Sequence, residues 1–309
     1  MGKFLIVHPD ELSEKWIVRL KELGVGTLGI HPVGGESAHV YIAEMLEYQK
    51  KENVKKIFDD AANEGLNIEY EMHVASYLLP RELFSEHPEY FRVNAEGKRT
   101  PEANFCVSNP EALKIVAERA AALADSLYLS SDKFYLWLDD GKQLHCHCDK
   151  CKEYSASDQQ LIALNAMLDA IKQKRPDAKL AYLAYCTTTE VPKKIKPHKD
   201  IFLEYAPFER DRSLPASVMT EAERDNIAAL FELFGKGDSK ILEYWYDNSL
   251  FSGWKKPPKP LKCNDEMIID DVDFYRELGF ENVGSFACYL GADYEELHGE
   301  PDLRAFIEV

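Results

Sequence analysis

Eight short apolar runs recur along the chain, and this recurrence constrains the fold more than any single motif. FLIVHP, TLGIHP, IEYEMHV, FYLWLDD, KLAYLAY, IFLEYAPF, ILEYWYD and NVGSFACYL each have the length and the β-branched or aromatic content of a buried strand. Helical patterns separate most of them. EKWIVRLKELG sets Trp16, Leu20 and Leu23 on one face, and SDQQLIALNAMLDAIKQKRP lines up Leu161, Leu164, Leu168 and Ile171 behind a capping box spaced as Ser157 and Gln160. The joints repeat as well: KELGVGTLGI, ANEGLNIEYE and RELGFENVGSF each close a helix on glycine, the residue that tolerates the left-handed helix end.

With no Gly, Ser or Pro linker dividing it, the chain reads as one α/β domain over residues 1–309, a single (β/α)8 barrel. An open doubly wound sheet uses the same alternation, but no glycine-rich phosphate turn follows the first strand. Two irregularities are expected. CTTTEVPKKIKPHKD, after the fifth strand, is too broken by proline for a full helix. The 75–110 segment after the third strand is a long loop with a hairpin turning at Asn94–Gly97.

Barrel geometry then assigns the polar strand residues. Outward apolar sets on strands three, four and six turn Glu69, Glu71 and His73, then Tyr135, Trp137 and Asp139, then Phe202, Glu204 and Ala206 toward the centre. On strand seven the same reasoning sends Leu242, Tyr244 and Tyr246 outward and Glu243, Trp245 and Asp247 inward. Acids gathered at strand ends among aromatic residues suit sugar chemistry, in which one carboxyl protonates the leaving oxygen and a second acts at the anomeric carbon. The candidate catalytic groups are Asp140, Asp139, Glu243 and Glu204. His73, His31, Trp137, Trp245, Asp247 and Arg210 are candidates for holding the sugar, Arg210 as a clamp on a substrate carboxylate.

Four stretches resemble the DUF4838 family of bacterial glycosidase-like barrels: YEMHVASYLLPRELFSEHPEYF, NFCVSNPEAL, LDDGKQLHCHCDKC with SDQQLIALN, and LAYLAYCTTTEVP. The resemblance implies a barrel similar in plan to β-hexosaminidase and α-glucuronidase domains, with Asp140 at the proton donor's position. Asp-Asp stands here where the hexosaminidase pattern has Asp-Glu. The expected activity is O-glycosyl hydrolysis without a required cofactor. Two alternatives remain: a sugar isomerase-like barrel whose His73, Glu71, Asp139, Glu204 and Glu243 hold a divalent metal, and a carbohydrate-binding barrel without turnover.

Cys146, Cys148 and Cys151 form C-x-C-x2-C with His145 and His147 interleaved. Three thiols with an imidazole, or with a distant fourth ligand such as Cys106, would make a structural zinc site. The alternatives are plain thiol packing and a redox-labile Cys148–Cys151 pair. A formal charge of −17 disfavours nucleic acid and anionic membranes as partners. The N-terminus has no small-residue cleavage site, and seven unevenly scattered cysteines do not form a secreted disulfide framework, so a cytoplasmic setting is expected.

Overall fold

The structure, a computed structural model, describes residues 1–309. Its strands are β1 (Gly2–Val7), β2 (Thr27–Ile30), β3 (Asn67–His73), β4 (Lys133–Trp137), β5 (Lys179–Ala184), β6 (Ile201–Tyr205), β7 (Lys240–Glu243) and β8 (Asn282–Phe286). They pair in parallel, each with the next, and β8 closes on β1, with Gly2 opposite Asn282 and Ile6 opposite Phe286. This is the (β/α)8 barrel that the alternation predicts.

Helix α1 (Glu14–Glu22) follows β1, while α2 (Ala38–Tyr48) and α3 (Glu52–Asn63) follow β2. The short α4 (Ala75–Leu78) opens the long third loop, and α5 (Pro110–Ser126) ends it. After β4 comes α6 (Ala156–Lys172), after β6 α7 (Glu221–Phe234), after β7 α8 (Asn248–Phe251) and α9 (Asp265–Leu278), and after β8 α10 (Ala292–His298). Only a single 3₁₀ turn, Cys186–Thr188, follows β5, in line with the proline-broken segment. The hairpin in the third loop is present, with Val93 bridged to Arg99 and Gly97 at φ +77°. The cap of α6 differs from expectation by two residues. Ser155 and Asp158 form the capping box, while Ser157 donates instead to the Glu190 carbonyl. Gly24, Gly65 and Gly279 all have positive φ where helices hand over to strands.

The core lies in two layers. A large apolar shell of strand and helix residues, from Leu5 to Phe306, fills the space between barrel and helices. A smaller set, including Phe4, Tyr135, Trp137, Phe202, Leu242 and Tyr244, fills the barrel itself. That inner set corrects the facing of β7. Lys240, Leu242 and Tyr244 point inward, whereas Ile241, Glu243 and Trp245 point toward the helices. A pleated strand alternates strictly, so one reversed assignment reverses every residue on it. No helix is long and apolar enough to cross a membrane.

Candidate active site

At the carboxyl ends of the strands a cleft of about 490 Å³ opens over the inner core. Its walls include Trp137, Tyr185, Phe208, Tyr244 and Tyr289, and exposed Trp254 stands at the rim. Two carboxylates line it, Asp140 from the end of β4 and Asp247 beyond β7. Asp140 is exposed, and its Oδ1 accepts a hydrogen bond from Tyr185 Oη at 3.0 Å. Asp247 is buried. It reaches the cleft because the chain turns after Glu243, and its Oδ1 caps α8 by accepting from Ser249 Oγ (2.5 Å) and Leu250 N (3.2 Å). Burial holds the Asp247 carboxyl above the usual range, with those two donors working against the shift.

The remaining wall comes from the ends of the first three strands. His8, His31 and His73 all line the cleft, and each Nδ1 lies 2.7 Å from a backbone carbonyl: His31 O, Glu71 O and Leu138 O respectively. Sequence reasoning singled out His31 and His73 but passed over His8. The clue was present, because FLIVHP and TLGIHP end two successive strands with the same His-Pro pair.

Other candidates sit elsewhere. Asp139 turns away from the cleft and binds the long third loop, accepting from Ser76 N (3.1 Å), Asn104 N (2.6 Å) and the Arg81 guanidinium. Glu243, on the outward face of β7, accepts from Arg210 Nε (2.8 Å) and Tyr275 Oη (2.5 Å). Arg210 also pairs with Asp271 at 2.6 Å, and Trp245 donates to that same carboxylate at 2.9 Å. Glu243, Arg210 and Trp245 thus form a bracket between barrel and helices and do not reach the cleft. Glu243 and Trp245 are expected in the site only on the reversed facing of β7, and Arg210 only as a clamp on a substrate carboxylate.

Glu204 does point inward but lies beneath the cleft, fully buried, and accepts from Trp137 Nε1 at 2.7 Å. Beside it Lys240 Nζ lies 2.5 Å from Glu71, 3.2 Å from Glu69 and 3.8 Å from Glu204, and sits over the Phe4 and Tyr135 rings. Burial pushes the carboxyls of Glu71 and Glu204 up against the pull of Lys240. Glu71 Oε2 and Glu204 Oε1 have no hydrogen-bond partner, which a proton shared between the two carboxyls satisfies. The acids considered for a divalent cation therefore do not converge. Asp139 and Glu243 are engaged elsewhere, and Glu71 and Glu204 surround a lysine.

Four thiols do converge. Cys106, from the third loop, joins Cys146, Cys148 and Cys151, with all four sulfurs within 4.8 Å of one another. The fourth member of the set is a cysteine rather than a histidine; the His145 and His147 rings pack against each other at a tilt, and neither belongs to it. Four thiolates in a largely buried pocket fit structural zinc, which would join the third loop to the loop carrying Asp140. Purified protein is expected to contain one zinc per chain by elemental analysis. Cys106→Ser should lower that content and open the third loop to limited proteolysis.

Behind the wall, Glu11 accepts from His8 N (3.3 Å) and Tyr289 N (2.6 Å), joining the first and last strand ends. Burial, helped by Asp10, pushes its carboxyl up to about 8. A carboxyl raised in the folded state keeps a proton that the unfolded chain has lost. Its contribution to stability therefore falls as pH rises from about 4.5 to about 8. Melting temperatures of wild type and Glu11→Gln at pH 5 and pH 8 test this, and the variant should lose less between the two.

A closed parallel barrel with a cleft of acids and aromatic rings at the carboxyl ends of its strands defines the class: a (β/α)8 domain. Residues 37–284 match the family described as "Domain of unknown function (DUF4838)", and the chain belongs to that family. No curated protein sequence matches it. Among solved structures, a β-galactosidase from the psychrophilic Marinomonas ef1 shares 12% identity at a TM-score of 0.55, covering 92% of this chain and 54% of its own. The chain thus spans about half the length of that relative. A GH20 catalytic module of the pneumococcal exo-β-D-N-acetylglucosaminidase StrH shares 12% identity at a TM-score of 0.51, covering 99% and 82%. A GH5-4 endoglucanase from an uncultured bacterium shares 11% identity at a TM-score of 0.50, covering 96% and 83%. These likenesses are of fold.

Proposed function

We propose that the chain is a glycoside hydrolase that uses Asp140 and Asp247 as its carboxylate pair. The observation that carries this reading is that acids from the ends of β4 and β7 line one aromatic cleft. Asp140, at the position that the family resemblance gives the proton donor, protonates the glycosidic oxygen. Tyr185 occupies its Oδ1 and leaves Oδ2 to the substrate. Asp247, oriented by Ser249 and the Leu250 amide, attacks the anomeric carbon or activates the water that does. Aromatic side chains in the lining suit the C–H surfaces of a pyranose, and two of the barrels of similar fold named above are a β-galactosidase and an exo-β-D-N-acetylglucosaminidase module.

A second assignment exchanges the two roles. Burial raises the Asp247 carboxyl, a property of a group that holds a proton for donation. Aryl glycosides with poor and activated leaving groups separate the assignments. Asp140→Asn should retain most of its rate only on the activated series, and the same pattern in Asp247→Asn would establish the exchange. Sugar affinity that persists in wild type with no bond cleaved on any member of the series would identify a binding barrel instead.

A further inference from the structure

We infer that the cleft selects sugars carrying no acidic group and receives their hydroxyl donors on the Nε2 atoms of His8, His31 and His73. The inference takes its location from the glycosidase reading but does not depend on turnover. A backbone carbonyl can only accept, so each Nδ1 at 2.7 Å from one carries the ring's hydrogen. The neutral ring then has its lone pair on Nε2, and no protein group bonds that atom in any of the three. Burial keeps His31 well below the usual imidazole range, reinforced by its two imidazole neighbours, and burial also lowers His8. The centroids of successive rings lie 5.8 and 6.1 Å apart, so the acceptors are spread along the wall.

The rest of the lining points the same way. Asp247 adds a carboxylate acceptor, and no lysine or arginine lines the cleft. Two cations lie over rings of the wall, and the Arg212 Nε, which has no hydrogen-bond partner, is buried. Arg212 lies over the Phe208 and Tyr244 rings at 4.9 and 4.8 Å and donates to the Phe208 carbonyl. Lys256 lies over Tyr289 and pairs with Asp293 at 2.6 Å. A hydroxyl directed at the histidine wall or at Asp247 meets an acceptor. A uronate carboxylate brings charge to a wall that offers it no cation.

The test uses non-cleavable S-linked glycosides in matched pairs, glucoside with glucuronide and galactoside with galacturonide, titrated calorimetrically into the full chain. At least one neutral glycoside should bind, with its acidic counterpart weaker by tenfold or more, and His73→Phe should weaken the neutral ligand several-fold. Imidazole ¹⁵N spectra of the wild type, which need no variant to fold, should show the Nε2 atoms of His8 and His31 unprotonated at neutral pH. Equal or tighter uronide binding, no binding by either neutral glycoside, or protonated Nε2 atoms would each overturn the inference. Cleavage of the O-linked counterparts is followed in parallel. Neutral binding without cleavage sinks the hydrolase reading and leaves this one standing, whereas cleavage confined to uronides does the reverse.

Discussion

Asp140→Asn and Asp247→Asn are each expected to lower kcat by about 10²–10⁴-fold on an unactivated glycoside while leaving the fold intact. Asp140 is exposed and its substitution disturbs only a hydrogen bond from Tyr185. Asparagine at 247 keeps an oxygen for the α8 cap. Glu243→Gln should show the opposite pattern. Its carboxylate faces Arg210 and Tyr275 outside the barrel, so turnover should hold while stability falls by about 1–3 kcal/mol. Steady-state kinetics and thermal melts on the three variants check both halves. A catalytic collapse in Glu243→Gln with an unchanged melting temperature would refute the assignment of the acid pair.

The largest effect on stability is expected at Lys240. Replacing it with methionine keeps the bulk against Phe4 and Tyr135 but leaves Glu69, Glu71 and Glu204 without a counter-charge in the barrel centre. Removing one partner from a buried ion cluster costs about 3–5 kcal/mol, because the remaining charge is uncompensated. Protonation relieves that cost, so the deficit should shrink at pH 5 relative to pH 8, where the acids of the unfolded chain are ionised. Urea unfolding of wild type and variant at the two pH values measures it. A loss below about 1 kcal/mol, or one indifferent to pH, would mean that the cluster is already neutralised without the lysine.

The barrel was legible in the sequence because each strand carries its own turn and helix signals, and these repeat. The facing of β3 and β6 was legible because Glu69, Glu71, His73 and Glu204 stand on one face among apolar residues. That of β4 was legible through Trp137 because Tyr135 and Trp137, which carry polar atoms, alternate with Phe134 and Leu136. KILEYWYD offers no such contrast, because both of its faces mix charge with large apolar groups. The partners that make an outward Glu243 tolerable, Arg210 after β6 and Asp271 and Tyr275 on α9, are distant in sequence. Asp139 was misplaced differently: strand alternation stops at Trp137, so the parity rule no longer applies two residues later. The cysteine cluster was visible as three thiols. Its fourth member, forty residues upstream of Cys146, is brought in only by the path of the third loop.

The histidine wall runs in one direction, each ring donating to the carbonyl at the next strand end, from β1 to β4. The rim of the site is in effect a chain of latches, in which the orientation of each ring is set by the backbone of its neighbour and not by any loop. The long third loop, fixed to Asp139 and to the cysteines, contributes no residue to the lining of the cleft, so its length and composition can change without disturbing the wall. Exchanging that loop between members of the family should therefore leave the wall, and the molecules it receives, unchanged.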